Sequence, residues 1–312
     1  MRPNLSAPAA LLSGAALFGV TLCAGAAPYR VAMLQIEGDP PASSGGMSMF
    51  AEPSPTVLDY AEALRDAAGD DTINGVIVRL KDAAITTTDI AEIGQAMDDF
   101  RASGKDLYMF AEMFGTAELL TGCHADHVIL QQGGGVTLPG IYMEEMFLAD
   151  MLEWVGVEAD FVQIGDYKGA NEMYENAQPS EAWDQNISAL LDAMYDNMRD
   201  TLKTGRGLDD EALDEAMRKA WLADGRTAIE AGLIDAEVDL AELLDHVEQQ
   251  AAASGWTGDE LVYAGDLIDT GEDTADMSNP LMVFSQLFQP VKRTTSGPTI
   301  AVLHIDGAIM DG

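Results

Sequence analysis

Between Lys105 and Arg199 the chain carries one lysine or arginine, Lys168. It lies in Gly165-Asp166-Tyr167-Lys168-Gly169-Ala170, directly after the apolar run Phe161-Val162-Gln163-Ile164. A lysine at a strand-to-loop exit is where an enzyme could keep a general base. That chemistry needs a neutral amine near pH 7, so a side chain with an ordinary pKa of about 10.4 must be shifted down by burial in an apolar wall. The plainer alternative is a surface lysine, isolated because the chain is poor in basic residues, and a single lysine near glycines is a weak motif. Two other groupings carry reactive side chains. Cys123-His124-Ala125-Asp126-His127 holds metal-capable groups, but their spacing spans a helix end and a strand start with no partner pair elsewhere, so a small buried cysteine with surface histidines is favoured over zinc. Gly133-Gly134-Gly135 imitates a phosphate loop without the Gly-Lys-Ser/Thr that would complete one, which favours a turn. No metal and no cofactor is expected.

Composition sets the partners. A formal net charge of −37 argues against nucleic acid, whose phosphates need a basic face, and against electrostatic docking on anionic lipid. The acidic residues are spread through every segment, as on a solvated, self-repelling surface. Carboxylates near Lys168 would raise its pKa, so only desolvation could overcome them.

The N-terminus reads as a targeting segment. After Arg2, an uncharged stretch from Leu5 to Pro28 is rich in Ala, Leu, Val and Phe and contains Ala24-Gly25-Ala26, an A-x-A cleavage signal. An uncleaved anchor is the rival, because the stretch approaches the roughly 20 apolar residues that span a bilayer. Either way the product is expected to be exported, facing the cell membrane or periplasm. Lipidation at Cys23 is a minor alternative, with bulky Leu22 before it. Without the segment Cys123 stands alone, so no internal disulfide forms and the fold relies on its core.

The elements that must position Lys168 follow from periodicity. Strands are expected over Arg30–Ile36, Ile73–Leu80, Asp106–Phe110, His127–Gln131 and Ala159–Ile164. Helices are expected from Val57 through Leu64, over Asp89–Arg101, Thr116–Cys123 and Glu144–Val155, then from Pro179-Ser180 through Leu202, over Asp209–Trp221 and over Asp239–Ala252. Strands alternating with helices imply an α/β fold with a largely parallel sheet and a mostly helical second half. The stripe Trp183, Ile187, Leu190, Leu191, Met194, Met198 and Leu202 reads as core or subunit packing.

Near the end, Thr299-Ile300-Ala301-Val302-Leu303-His304-Ile305-Asp306-Gly307 repeats the first strand, Arg30-Val31-Ala32-Met33-Leu34-Gln35-Ile36-Glu37-Gly38, in the same register. A second copy of the unit is expected to begin there, after a loop-like stretch carrying Pro280, Pro290 and Pro298.

Gly165-Asp166-Tyr167-Lys168-Gly169-Ala170 resembles the G-x-Y-K-S-A segment of the signal peptide peptidase A family, also called protease IV, in its long two-domain form. Other segments fall in that family's order. Leu130-Gln131-Gln132-Gly133-Gly134-Gly135-Val136 resembles its strand, glycine and valine approach to Gly140-Ile141. Trp221, Gly225, Ala228 and Gly232-Leu233-Ile234-Asp235 are similar to its W-x-G-x-x-A-x-x-x-G-L-V-D stretch, and Ile305-Asp306-Gly307-Ala308-Ile309 to the opening of its C-terminal domain.

The resemblance implies an α/β fold of crotonase-like (ClpP-like) repeated ββα units and homo-oligomers at the membrane. It divides the chain into a signal peptide or anchor (1–27), an N-terminal crotonase-like peptidase domain carrying the lysine (28–270), a linker (271–298) and the first strand of a truncated second domain (299–312). It also implies a serine/lysine dyad that hydrolyses remnant signal peptides, with Lys168 matching the base. The nucleophilic serine would belong to the second domain, on a turn not reached by Gly312, so this chain alone is expected to be inactive. The corresponding turn of the first domain, Leu80 to Asp89, lacks the Gly-Gly pair and serine. Its Thr86, Thr87 and Thr88 read as helix caps, with Thr88 or Thr87 as the N-cap, rather than as nucleophiles. Two rivals keep the fold: a non-catalytic, oligomer-forming scaffold or peptide-binding module, and an acyl-CoA-handling crotonase enzyme, which fits an exported, acidic chain poorly.

Overall fold

A computed structural model describes residues 27–41, 54–258 and 260–268. The expected leader, linker and repeated strand at 299–312 lie outside these residues. Among the described residues, no helix is long and apolar enough to cross a membrane.

The first half alternates strand and helix as the periodicity requires: β1 (Tyr29–Glu37), α1 (Val57–Gly69), β2 (Gly75–Lys81), α2 (Thr87–Ala102), β3 (Asp106–Phe114), α3 (Thr116–Gly122) and β4 (His127–Val136). Helices dominate afterwards: α4 (Ala149–Trp154), α5 (Glu172–Glu175), α6 (Glu181–Arg206), α7 (Asp210–Lys219), short β5 (Ala223–Asp224), α8 (Gly225–Glu230), short β6 (Ala236–Val238), α9 (Leu243–Ala253) and β7 (Leu261–Asp266). The sheet runs β5-β4-β3-β2-β1-β7, with β6 also on β4. Every pairing is parallel except β4 with β5. The α/β class expected from the sequence is the observed one.

Alternation along the strands builds two cores. Leu34, Ile36, Val76, Val78, Leu107, Met109, Val128 and Leu130 face α1, α2, α3 and the end of α6, where Met198 and Leu202 are buried. On the opposite face Val31, Ile77, Tyr108, Phe110 and Ile129 meet Leu243, Val247 and Ala251 of α9. Strands covered on both sides read as continuous apolar runs, which is why β2 and β3 were visible in the sequence.

Four local expectations are corrected. First, the strand expected over Ala159–Ile164 does not form. The edge of β4 that it would join is taken by β5 and β6, and an extended segment without a ladder partner leaves its backbone to solvent or side chains. Here the Phe161 N–H donates to Glu175 Oε1 at 3.0 Å. Second, the helix expected from Glu144 starts only at Ala149. Third, β4 does not turn at its glycines but continues through them to Val136. A Cβ at Gly134 would lie 2.2 Å from the Glu112 carbonyl oxygen, so the strand passes β3 only as glycine. Fourth, Thr86 rather than Thr87 or Thr88 caps α2, through a capping box with Asp89.

Candidate active site

Lys168 sits in the loop between α4 and α5. Gly165 takes φ +93°, a left-handed conformation suited to glycine, and its carbonyl accepts the Lys168 N–H at 3.3 Å. The loop is fastened to α6 at two levels. Tyr167 Oη donates to Gln185 Oε1 at 3.1 Å. Below it, the Glu172 carboxylate accepts the Ser180 N–H at 2.9 Å, the Ser180 hydroxyl at 2.7 Å and the Asn176 amide at 3.2 Å. Ser180 in turn caps α6, its Oγ accepting the Trp183 N–H at 3.1 Å. Between loop and helix lies a cleft of about 640 Å³ lined by Asp166, Tyr167, Glu175, Ser180 and Gln185 among others.

Glu172 is only 5% exposed. Burial pushes its carboxyl up, but the hydrogen bonds from the Ser180 backbone and hydroxyl and from Asn176 outweigh it and hold the group below the ordinary carboxylate range. A buried charge with that many donors is satisfied rather than stranded. Ser180 was legible as a helix start, but nothing in the sequence singled out Glu172 among so many acidic residues.

Among the described residues, the apolar wall expected around Lys168 is not formed. Lys168 is exposed, and the run before it faces outward, Val162 at 97% and Ile164 at 84% exposure. Tyr142, Met146 and Trp154 are also exposed, as are Leu190 and Met194 on α6. The stripe on α6 therefore divides. Met198 and Leu202 are core, whereas Leu190 and Met194 remain uncovered.

The other candidate groups are committed elsewhere. Burial pushes the Cys123 thiol up to about 12, against the opposing pull of Arg206. His124 Nδ1 lies 3.0 Å from Asp98, Asp126 accepts from Arg101 Nε at 2.7 Å, and the His127 ring stacks on Tyr108 at 4.9 Å. The chain neighbours thus point to separate partners. In the glycine run, the Gly133 N–H donates to Glu237 Oε1 at 2.9 Å, so a carboxylate holds the donor that a phosphate would need. The Thr86 hydroxyl is engaged with Thr88 at 2.8 Å and with Asp89 at 2.7 Å.

A parallel α/β scaffold with a lysine on an exposed loop beside a capped helix can host many chemistries, and sequence comparison narrows them. The profile of Peptidase family S49 matches residues 99–254, half of the chain, a stretch that includes Lys168 and Glu172. The chain belongs to peptidase family S49, a serine peptidase family. Among curated proteins it is 24% identical over 272 residues to Protease 4 of Salmonella typhi, covering 82% of this chain and 40% of that protein. It is 27% identical over 168 residues to the chloroplastic serine protease SPPA of Arabidopsis thaliana, covering 54% of this chain and 25% of that one. The chain therefore spans well under half the length of these relatives. Among solved structures it is similar to a membrane-bound stomatin-specific protease, with TM-score 0.39 and 15% identity over 70% of this chain and 80% of that one. It is also similar to an enoyl-CoA hydratase/carnithine racemase from Magnetospirillum magneticum, with TM-score 0.38 and 13% identity over 71% and 70% of the two chains.

Proposed function

We propose that this chain contributes the general base of a serine-type endopeptidase of the signal peptide peptidase A kind, acting on remnant signal peptides at a membrane. In this reading the Lys168 amine takes the proton of a nucleophilic serine as that serine attacks the peptide carbonyl, then returns it to the departing amine. Backbone N–H groups hold the oxyanion. The serine comes from a segment outside the described residues. The active form is a homo-oligomer of an exported or membrane-facing protein.

The observation that carries the reading is Lys168 at the end of an apolar run, Val162 and Ile164, which is exposed among the described residues. Covering that run with a second domain or a second copy would supply the desolvation that a lysine base needs. A membrane-proximal, apolar peptide is the substrate such a face suits. The same exposure also favours a second reading, in which the fold serves as a non-catalytic, oligomer-forming scaffold or peptide-binding module.

The deciding experiment assays the complete gene product and its Lys168→Ala variant on a fluorogenic signal-peptide substrate. Activity that Lys168→Ala abolishes is the expected result. No activity in the wild type, or activity indifferent to Lys168, would transfer the weight to the scaffold.

A further inference from the structure

We propose that Glu172 is a positioning residue for Lys168: its buried carboxylate latches the Gly165–Ala170 loop to the first turn of α6. The inference rests on the reading of Lys168 as the base. It starts from a feature that helix capping alone does not explain. Ser180 already caps α6 by accepting the Trp183 N–H at 3.1 Å, which needs no carboxylate. Yet Glu172, 5% exposed, is kept there and accepts both the Ser180 N–H and the Ser180 hydroxyl. A carboxylate taken out of water is retained only where its bonds repay the desolvation, and three donors do so here.

The other end of the latch lies against the residue that follows the lysine. The Glu172 N–H donates to the Gly169 carbonyl at 3.0 Å, and a Cβ at Gly169 would stand 2.8 Å from Glu172 Oε1 and 3.1 Å from Trp183 Cδ1. The glycine lets the carboxylate and the indole close directly on the backbone of the loop. Lys168 is thereby held between the Gly165 turn, whose carbonyl accepts its N–H, and the Gly169–Glu172 contact. A base must stay within hydrogen-bond reach of the proton it removes, so the rigidity of this loop bears on turnover more than on peptide binding.

The test uses the complete gene product and its Glu172→Gln variant, with Lys168→Ala as control. Glutamine keeps the shape but gives up the charge-assisted acceptors. The expected result is a fall in kcat of about tenfold or more with KM within about twofold of wild type. Alongside it, amide hydrogen exchange across residues 165–172 should accelerate about tenfold while α7 and α9 stay unchanged. Faster exchange confined to 176–183, with 165–172 and kcat unchanged, would reduce Glu172 to a helix cap and overturn the proposal. Should Glu172→Gln fail to fold, Ser180→Ala removes one donor, and faster exchange at 165–172 is again required of it. The exchange readout does not depend on peptidase activity. If Lys168→Ala remains active, the dyad reading and the functional part of this proposal fall together, whereas an active wild type, a dead Lys168→Ala and an unaffected Glu172→Gln sink this proposal alone.

Discussion

Arg206 grips Asp235 with two hydrogen bonds, Nη2 to Oδ1 at 2.6 Å and Nη1 to Oδ2 at 3.1 Å, while Asp235 Oδ2 also accepts the Val128 N–H at 2.7 Å. The last turn of α6 is thereby fixed to the start of β4, with Arg206 Nε donating to the Gly232 carbonyl at 3.0 Å. The arginine side chain is nearly buried. Since α6 also carries the loop of Lys168 at its other end, this contact relates the sheet to the site. Asp235→Ala removes the acceptor of both Arg206 Nη donors and of the Val128 N–H, leaving the guanidinium only its Nε bond to Gly232, and we expect a loss of about 2 kcal/mol in urea unfolding. A loss under about 0.5 kcal/mol would show the bridge to be solvent-equivalent.

Gly134 offers a harsher test of the sheet. Its would-be Cβ meets backbone oxygen at Glu112 and Gln131, at 2.2 and 2.9 Å, as well as Leu130 Cδ1 at 2.8 Å, and the backbone atoms cannot yield as a side-chain tip can. Gly134→Ala must push β4 away from β3, and a destabilisation of about 2 kcal/mol or more follows from overpacking of this kind. Gly104→Ala, where nothing lies within 4 Å but φ is +84°, should show only the milder cost of a strained turn. Equal midpoints for the two variants in thermal melts would contradict this account.

Cys123 gives a pH prediction with a definite sign. Its thiol is raised by burial from an ordinary 9.0 to about 12. Below the ordinary value both folded and unfolded thiols are protonated, and the stabilising preference is fully present. As pH rises from 9 towards 12 the unfolded chain loses its proton while the folded one keeps it, so stability falls with pH over that window. The slope from this group is at most about 1.4 kcal/mol per pH unit. Comparing urea midpoints of wild type and Cys123→Ala between pH 8 and 10 isolates the contribution. The same burial predicts slow alkylation by iodoacetamide at pH 8 in the folded protein and rapid alkylation in denaturant.

Thr86 separates the observed cap from the expected one. Its hydroxyl accepts the Asp89 N–H at 3.4 Å and its own N–H donates to Asp89 Oδ2 at 2.7 Å. Thr86→Ala should therefore cost about 1 kcal/mol, and Thr87→Ala much less. The reverse order in chemical denaturation would return the N-cap to Thr87.

Why the sequence placed Thr87 or Thr88 there, and yet placed β2 correctly, follows from what each element depends on. β2 is covered on both faces, so Val76, Ile77, Val78 and Leu80 print their burial on the sequence. The cap instead depends on a Thr-x-x-Asp pair that only registers once Asp89 is fixed as the third helical residue. The segment Ala159–Ile164 reads as a strand because apolar residues are present, but a strand also needs a free neighbouring edge, and the edge of β4 is taken by residues more than fifty positions further on. Lys168 stood out because basic residues are scarce. Glu172 did not, because its distinction lies in burial and in Ser180 and Asn176, which are tertiary facts.

The uncovered apolar residues yield the last prediction, which rests on the oligomeric reading proposed above. Val162, Ile164 and Trp154 are almost fully exposed, and Leu190 and Met194 continue the apolar character along α6. Soluble chains rarely leave so many large apolar groups open unless they meet a partner. Val162→Asp touches no hydrogen bond of the loop and no core residue, so it should leave the thermal midpoint of the isolated chain unchanged. Placed in an interface core, however, an unpaired carboxylate is strongly disfavoured. In the complete gene product we therefore expect Val162→Asp to shift sedimentation velocity towards smaller species, and peptidase activity to fall with the loss of assembly. An unchanged sedimentation profile with reduced activity would instead place Val162 against the peptide, and an unchanged profile with full activity would show that this face stays open to solvent in the working protein.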